Sequence, residues 1–176
     1  MTEASQTGLW LKRGAFVLLV LAIIFFHLLP LQTVPRRWAG PEWVTLFAFA
    51  WAVRRPDLVP TILLGLLLLL ADLLLARPPG LWALLAFLAA ERLKARALVL
   101  RDTTLVAEIL EVSLLMVGIS IAYQLTLAIL LIDGINLWLT ASQALTSVIA
   151  YPFVVFLTHV LMRVRKGTPG DLEATP

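Results

Sequence analysis

Glu108 and Glu111 stand three residues apart in an apolar stretch, a spacing that places both carboxylates on one face of a helix. Such a pair can line a polar cavity or a contact surface. The plain alternative is a pair near the membrane interface neutralised by Arg101 or its neighbours. Gly118-Ile119-Ser120 resembles the start of a serine-hydrolase elbow, with His159 as a possible base, but no second glycine completes it. Small residues that let helices pack closely are the simpler reading. Asp133-Gly134 could open a metal-binding motif, yet no further Asp or Glu follows until Asp171, so it predicts a turn. His27 and His159 fall near opposite membrane faces and cannot share a metal. With no cysteine there is no thiol nucleophile, disulfide or Cys-ligated metal, and no glycine-rich phosphate loop occurs. The residues therefore point to no catalytic, cofactor or metal site.

What must position these side chains is a membrane-embedded bundle. The chain has 176 residues, 61% of them hydrophobic and only 14% charged, with a mean hydropathy of +0.95. That lies outside the soluble globular range. A net charge of +3 would suit nucleic acid if it were clustered, but the basic residues sit in small groups at the ends of apolar segments. That placement speaks for membrane topology.

Proline, glycine and charge divide the chain into six segments: about 14–29, 42–53, 58–76, 81–90, 105–132 and 137–162. The predicted fold is all-α, a polytopic membrane protein with six transmembrane helices and both termini cytoplasmic. Residues 1–13 form a cytoplasmic N-terminal tail, 14–166 a single six-helix domain, and 167–176 a disordered cytoplasmic C-terminal tail. Orientation follows from the basic residues. With the N-terminus inside, Lys12, Arg13, Arg54, Arg55, Arg92, Lys94, Arg96, Arg101, Arg163, Arg165 and Lys166 are cytoplasmic, against Arg36, Arg37 and Arg77 outside. A five-span alternative, with the short second segment re-entrant, scrambles this asymmetry.

Within the segments some faces should look inward. Thr104, Glu108, Glu111, Leu115, Gly118 and Ala122 should form a polar and small stripe toward other helices, as should Ser142, Thr146 and Ala150. Pro152 leaves the Val148 carbonyl without its helical donor, which predicts a kink. ERLKARALVLR mixes basic and apolar residues in the manner of a helix lying on an anionic leaflet, with an ordinary positive-inside loop as the alternative.

Asp72 is the only charge between Gly65 and Arg77. Eleven leucines from Leu58 to Arg77 insert the segment despite it. Facing lipid would leave the carboxylate unpaired, so the face shared by Gly65 and Asp72 should pack inward, with Asp72 about 7.5 Å along the helix from Arg77. Arg-Pro-Pro-Gly, ending at Pro79 and Gly80, then stops the helix.

GLLLLLADLLLARPPG, with the earlier GPEWVTLFAFAWAVRRP and the later ALTSVIAYPFVVFLTHVLMRVRK, resembles the MreD family of bacterial rod-shape-determining membrane proteins, from Pro41 to Lys166. The resemblance carries over Gly65, Asp72, Pro79 and Gly80 as a central motif and Pro152 in the last helix. It implies a non-enzymatic, multi-pass scaffold of the bacterial inner membrane that takes part in cell elongation and peptidoglycan synthesis. Its implied partners are MreC and also MreB, RodA and a class B penicillin-binding transpeptidase, with no nucleic acid. The family is similar in fold to the substrate-binding components of energy-coupling vitamin transporters. A transporter subunit is thus the rival expectation, requiring an aromatic and polar cavity near Asp72, Arg77 and Trp82.

Overall fold

The computed structural model describes residues 3–29, 38–102, 104–131 and 137–161, and every regular element among them is helical. In chain order these are α1 Glu3–Leu28, α2 Trp43–Arg54, a 3₁₀ turn Pro56–Leu58, α3 Thr61–Leu74, α4 Leu81–Ala95, α5 Ala97–Asp102, α6 Leu105–Ile129 and α7 Leu137–Leu161. Among the described residues three stretches are long and apolar enough to cross a membrane: Gly8–Leu28, Leu105–Ile129 and Leu137–Val160. The helices between them are shorter, with 12 residues in α2, 14 in α3 and 15 in α4.

Local chemistry sets the boundaries. Pro41 precedes α2 and Pro60 precedes α3, where a missing N–H costs nothing. α3 ends in a Schellman-type turn: Ala76 takes the left-handed position at φ 53°, and the Arg77 N–H returns to the Asp72 carbonyl at 3.1 Å. Gly80, at φ 85°, then makes the reversal into α4. The Thr104 hydroxyl accepts from the Ala107 N–H at the start of α6.

α2 is the axis of the molecule. Every residue from Val44 to Arg54 is buried, so this helix has no lipid-facing side. α1, α3, α4, α5 and α7 pack around it, with α3 against α4 and α6 against α7 as hairpins. Phe16 of α1 meets Trp51 at 5.0 Å between ring centroids, and Val20 and Ile24 continue that seam. Contacts at the two ends show that the six longer helices alternate in direction. At one end Arg13 donates to the Asp57 carbonyl at 2.9 Å and Arg96 pairs with Glu111 at 2.8 Å. At the other, Trp38 and Trp138 meet edge to face at 5.4 Å and Glu42 pairs with Arg77.

Several sequence expectations change here. α1 begins at Glu3, within the stretch read as a tail. The fourth segment continues past Ala90 to Ala95, and ERLKARALVLR is split by a turn at Arg96 before α5. Ala97 and Leu100 of α5 are buried in the bundle while Leu98 and Val99 face out. The stripe drawn through Thr104, Glu108, Glu111, Leu115, Gly118 and Ala122 is not one inward face. Glu108 is buried, but Thr104, the N-cap, and Gly118 are exposed: the row keeps to one side of the helix, and neighbouring helices cover that side only in part. Pro152 lies inside α7, and its ring is exposed. Asp133-Gly134, Arg36, Arg37 and the segment 167–176 lie outside the described residues.

Candidate functional site

Two buried polar nodes and one apolar groove organise the bundle. The first node forms where α2 begins. Glu42 precedes Trp43, so its carboxylate lies at the positive end of the α2 dipole. Its Oε2 accepts from Arg77 Nη2 at 2.6 Å and from Gln143 Nε2 at 2.7 Å, and its backbone N–H donates to Ser147 Oγ at 2.9 Å. The expectation that Ser142 and Thr146 face inward holds. Ser142 Oγ accepts from the Ala39 N–H, and the Thr146 hydroxyl donates to the Ala39 carbonyl, both at 3.1 Å.

Arg77 links this node to the α3–α4 reversal. Its guanidinium lies 5.3 Å from the Trp82 ring centroid, a cation–π geometry. Burial works against the Arg77 charge, but the attraction and hydrogen bond of Glu42, with the fields of Asp72 and Tyr123, outweigh it and raise its pKa above the ordinary arginine value. Trp82 Nε1 donates to Thr45 Oγ1 at 3.0 Å, and the Trp82 ring meets Tyr123 edge-on at 5.4 Å. The four elements α2, α4, α6 and α7 are thereby tied to one loop.

Asp72 is 1% exposed, as its lone position required, but its partner is a backbone group. Its Oδ2 accepts from the Ala83 N–H at 2.8 Å, in the first turn of α4. The first N–H groups of a helix have no partner within the helix, and inside a bilayer no water replaces one. Asp72 thus caps α4 from the preceding helix, since Gly80 has no side chain to do so. The reversal Arg77-Pro78-Pro79-Gly80 brings that helix end back to the carboxylate. Gly65, two turns earlier on α3, faces Phe87: a Cβ there would lie 3.6 Å from the Phe87 ring, an ordinary contact, so the packing would accept an alanine.

The second node is an ion pair with almost no access to solvent. Arg54 Nη2 donates to Glu108 at 2.9 and 3.2 Å, and the Tyr151 hydroxyl donates to Glu108 Oε1 at 3.0 Å. The side chains of Arg54 and Glu108 are 5% and 0% exposed, so the pair joins α2, α6 and α7 inside the core. Glu111, its neighbour on the same helix, pairs with Arg96 nearer the surface. The two glutamates therefore separate: one is internal, the other belongs to the rim. Sequence reasoning missed Arg54, Glu42, Tyr151, Gln143 and Ser147. The available signal was Glu108 itself, an acid in the first turn of a long apolar helix that needed a cation from the end of another segment.

The groove lies between α6 and α7 and has a volume of about 850 Å³. Leu114, Ile121 and Leu125 of α6 face Leu137, Ala144 and Leu145 of α7 across it, with Ser113 and Ser120 among the lining residues. The Gln124 amide donates to the Thr140 hydroxyl in its wall. Gly118 shares a helix face with Leu114 and Leu125, four and seven positions away, and nothing lies within 4 Å of a Cβ placed on it. It is not consumed by packing within the chain.

Pro79 is exposed in the reversal, and Pro152 on α7 belongs to neither node. Among the described residues no cluster of three or more His, Cys, Asp or Glu could hold a metal ion. No protein-family model, curated protein or solved structure matches the chain.

Proposed function

We propose that this chain is a non-enzymatic, six-span scaffold of the bacterial inner membrane that works in cell elongation by binding partner helices, in the manner of the MreD family. The observation that carries this reading is the contrast between the nodes and the α6–α7 face. Asp72, Arg77 and Trp82, which a substrate cavity would need free, are engaged with Ala83, Glu42 and Thr45. The face with unused packing capacity is instead the α6–α7 groove, with Gly118 beside it. Transmembrane helices associate through small residues and close backbone approach, because lipid removes the hydrophobic drive between apolar surfaces.

In this reading α2, α3 and α4 cross the bilayer beside the three long helices, both termini are cytoplasmic, and the groove receives the single transmembrane helix of a partner such as MreC. MreB, RodA and the transpeptidase join through that complex. Copurification in mild detergent tests the proposal. MreC should be captured by the wild-type chain, and Gly118→Phe should weaken capture about tenfold, or 1.4 kcal/mol, with an unchanged melting temperature. Capture of a transporter ATPase in place of MreC would overturn it.

A further inference from the structure

We propose that the α3–α4 flank is a lipid-binding surface that thins the bilayer beside it, an inference that rests on the six-span reading above. It begins with helix length. α3 and α4 have 14 and 15 residues, about 21 and 22 Å at 1.5 Å per residue, against a hydrocarbon core of about 30 Å. The exposed apolar belt is shorter still. On α3 it runs from Ile62 to Leu74, about 18 Å, with exposed Asp57 before the helix and the partly buried Arg77 after it. On α4 the exposed leucines end at Leu88, and exposed Arg92 follows one turn later.

The opposite flank is long. Exposed apolar side chains on α6 extend from Leu105 to Ile129, about 36 Å. Tilting shortens a helix's projection on the membrane normal and never lengthens it. Whatever tilt fits α6 to the bilayer, α3 and α4 therefore project at most about 21 and 22 Å along the membrane normal. The mismatch on their side, about 10 Å, must be met by the lipid, by snorkelling of the flanking basic groups, or by a covering protein.

The composition of the flank decides for lipid. From Ile62 to Leu74 and from Leu81 to Leu88 every exposed position is leucine or isoleucine. Helix–helix interfaces in membranes favour small residues that let backbones approach, and this surface has none there. The α6–α7 side does expose them, at Gly118, Ala128 and Ala141. The lipid collar fitted to α3 and α4 is thus one of short or disordered chains.

The absence of cysteine permits a direct test by single-cysteine spin labelling of the full chain in phosphatidylcholine bilayers. Labels at Ile62, Leu66 and Leu74 on α3, and at Leu105, Val117 and Ile129 on α6, report depth through collision with oxygen and with a polar nickel chelate. Thinning predicts interfacial depth at both Ile62 and Leu74 with Leu66 between them in hydrocarbon, the boundaries about 18 Å apart along α3. It also predicts that a fluorophore on Leu66→Cys favours brominated myristoleoyl over brominated erucoyl lipid by about twofold or more, and one on Val117→Cys does not. Hydrocarbon depth at both Ile62 and Leu74 would overturn thinning while leaving six spans intact. Shielding of the α3 labels from both colliders would place a second copy on this flank and overturn it. Nickel access along the whole of α3 would overturn the six-span reading with it.

Discussion

Asp72 meets the Ala83 N–H at 2.8 Å inside the bundle, where that N–H has no partner within its own helix. A carboxylate in hydrocarbon and an uncapped helix N-terminus are each costly, and together they cancel. Asp72→Leu should insert normally yet lower stability by about 1–3 kcal/mol, the cost of a buried donor left unpaired, whereas Asp72→Asn keeps an acceptor oxygen and most of the stability. Thermal unfolding in detergent compares the two, and equal melting temperatures for Asn and Leu would remove the cap from the account. The Arg54–Glu108 pair follows a different rule because both members are charged. Replacing one partner, as in Arg54→Met or Glu108→Leu, strands a buried charge and should cost about 3–5 kcal/mol. Replacing the whole node by Arg54→Met, Glu108→Leu and Tyr151→Phe should recover most of that loss. If the triple variant is as unstable as the singles, the node acts through shape and not through charge.

Element by element, the helices were legible because proline, glycine and charge punctuate apolar runs that have no other fate in a membrane. The inward position of Asp72 was legible for the same reason. Its donor was not, since a backbone N–H of the next helix becomes a partner only after the reversal has brought it back. Arg54 and Arg55 look alike in sequence. Arg54 is the last residue of α2 and is buried with it, whereas Arg55 has already left the helix and pairs with exposed Asp57. Gly118 misled for the opposite reason: a small residue marks close packing without saying which molecule supplies the other side. The C-terminal turn of α3 offers a test at this scale. Ala76 holds a left-handed conformation, φ 53°, that glycine adopts without strain. Ala76→Gly should therefore raise the unfolding midpoint by up to about 1 kcal/mol in stability, and Gly80→Ala, at φ 85°, should lower it by a similar amount. A fall in stability for Ala76→Gly would mean that the turn is held by something other than its own backbone.

For the whole molecule, α2 carries an acid before its first residue and a base at its last, and each is answered by another element. The bundle is thus pinned at both ends of a helix that never meets lipid. The same contacts sort the chain by end: Arg13, Asp57, Arg96 and Glu111 gather at one, and Glu42, Arg77, Trp82 and Gln143 at the other. Exposed basic side chains Arg92 and Arg96 belong to the first end, and cytoplasmic ends are enriched in such residues. An even number of crossings then requires both termini on that side. Single cysteines at Glu3 and Ala174, in a chain that has none, make this measurable. In intact spheroplasts neither should react with a membrane-impermeant maleimide, while a cysteine at Trp138, which lies at the Glu42 end through its edge-to-face contact with Trp38, should react. After permeabilisation the two termini should label as well. Labelling of one terminus in intact cells would make the number of crossings odd and return α2, fully enclosed and only 12 residues long, to the status of a re-entrant segment.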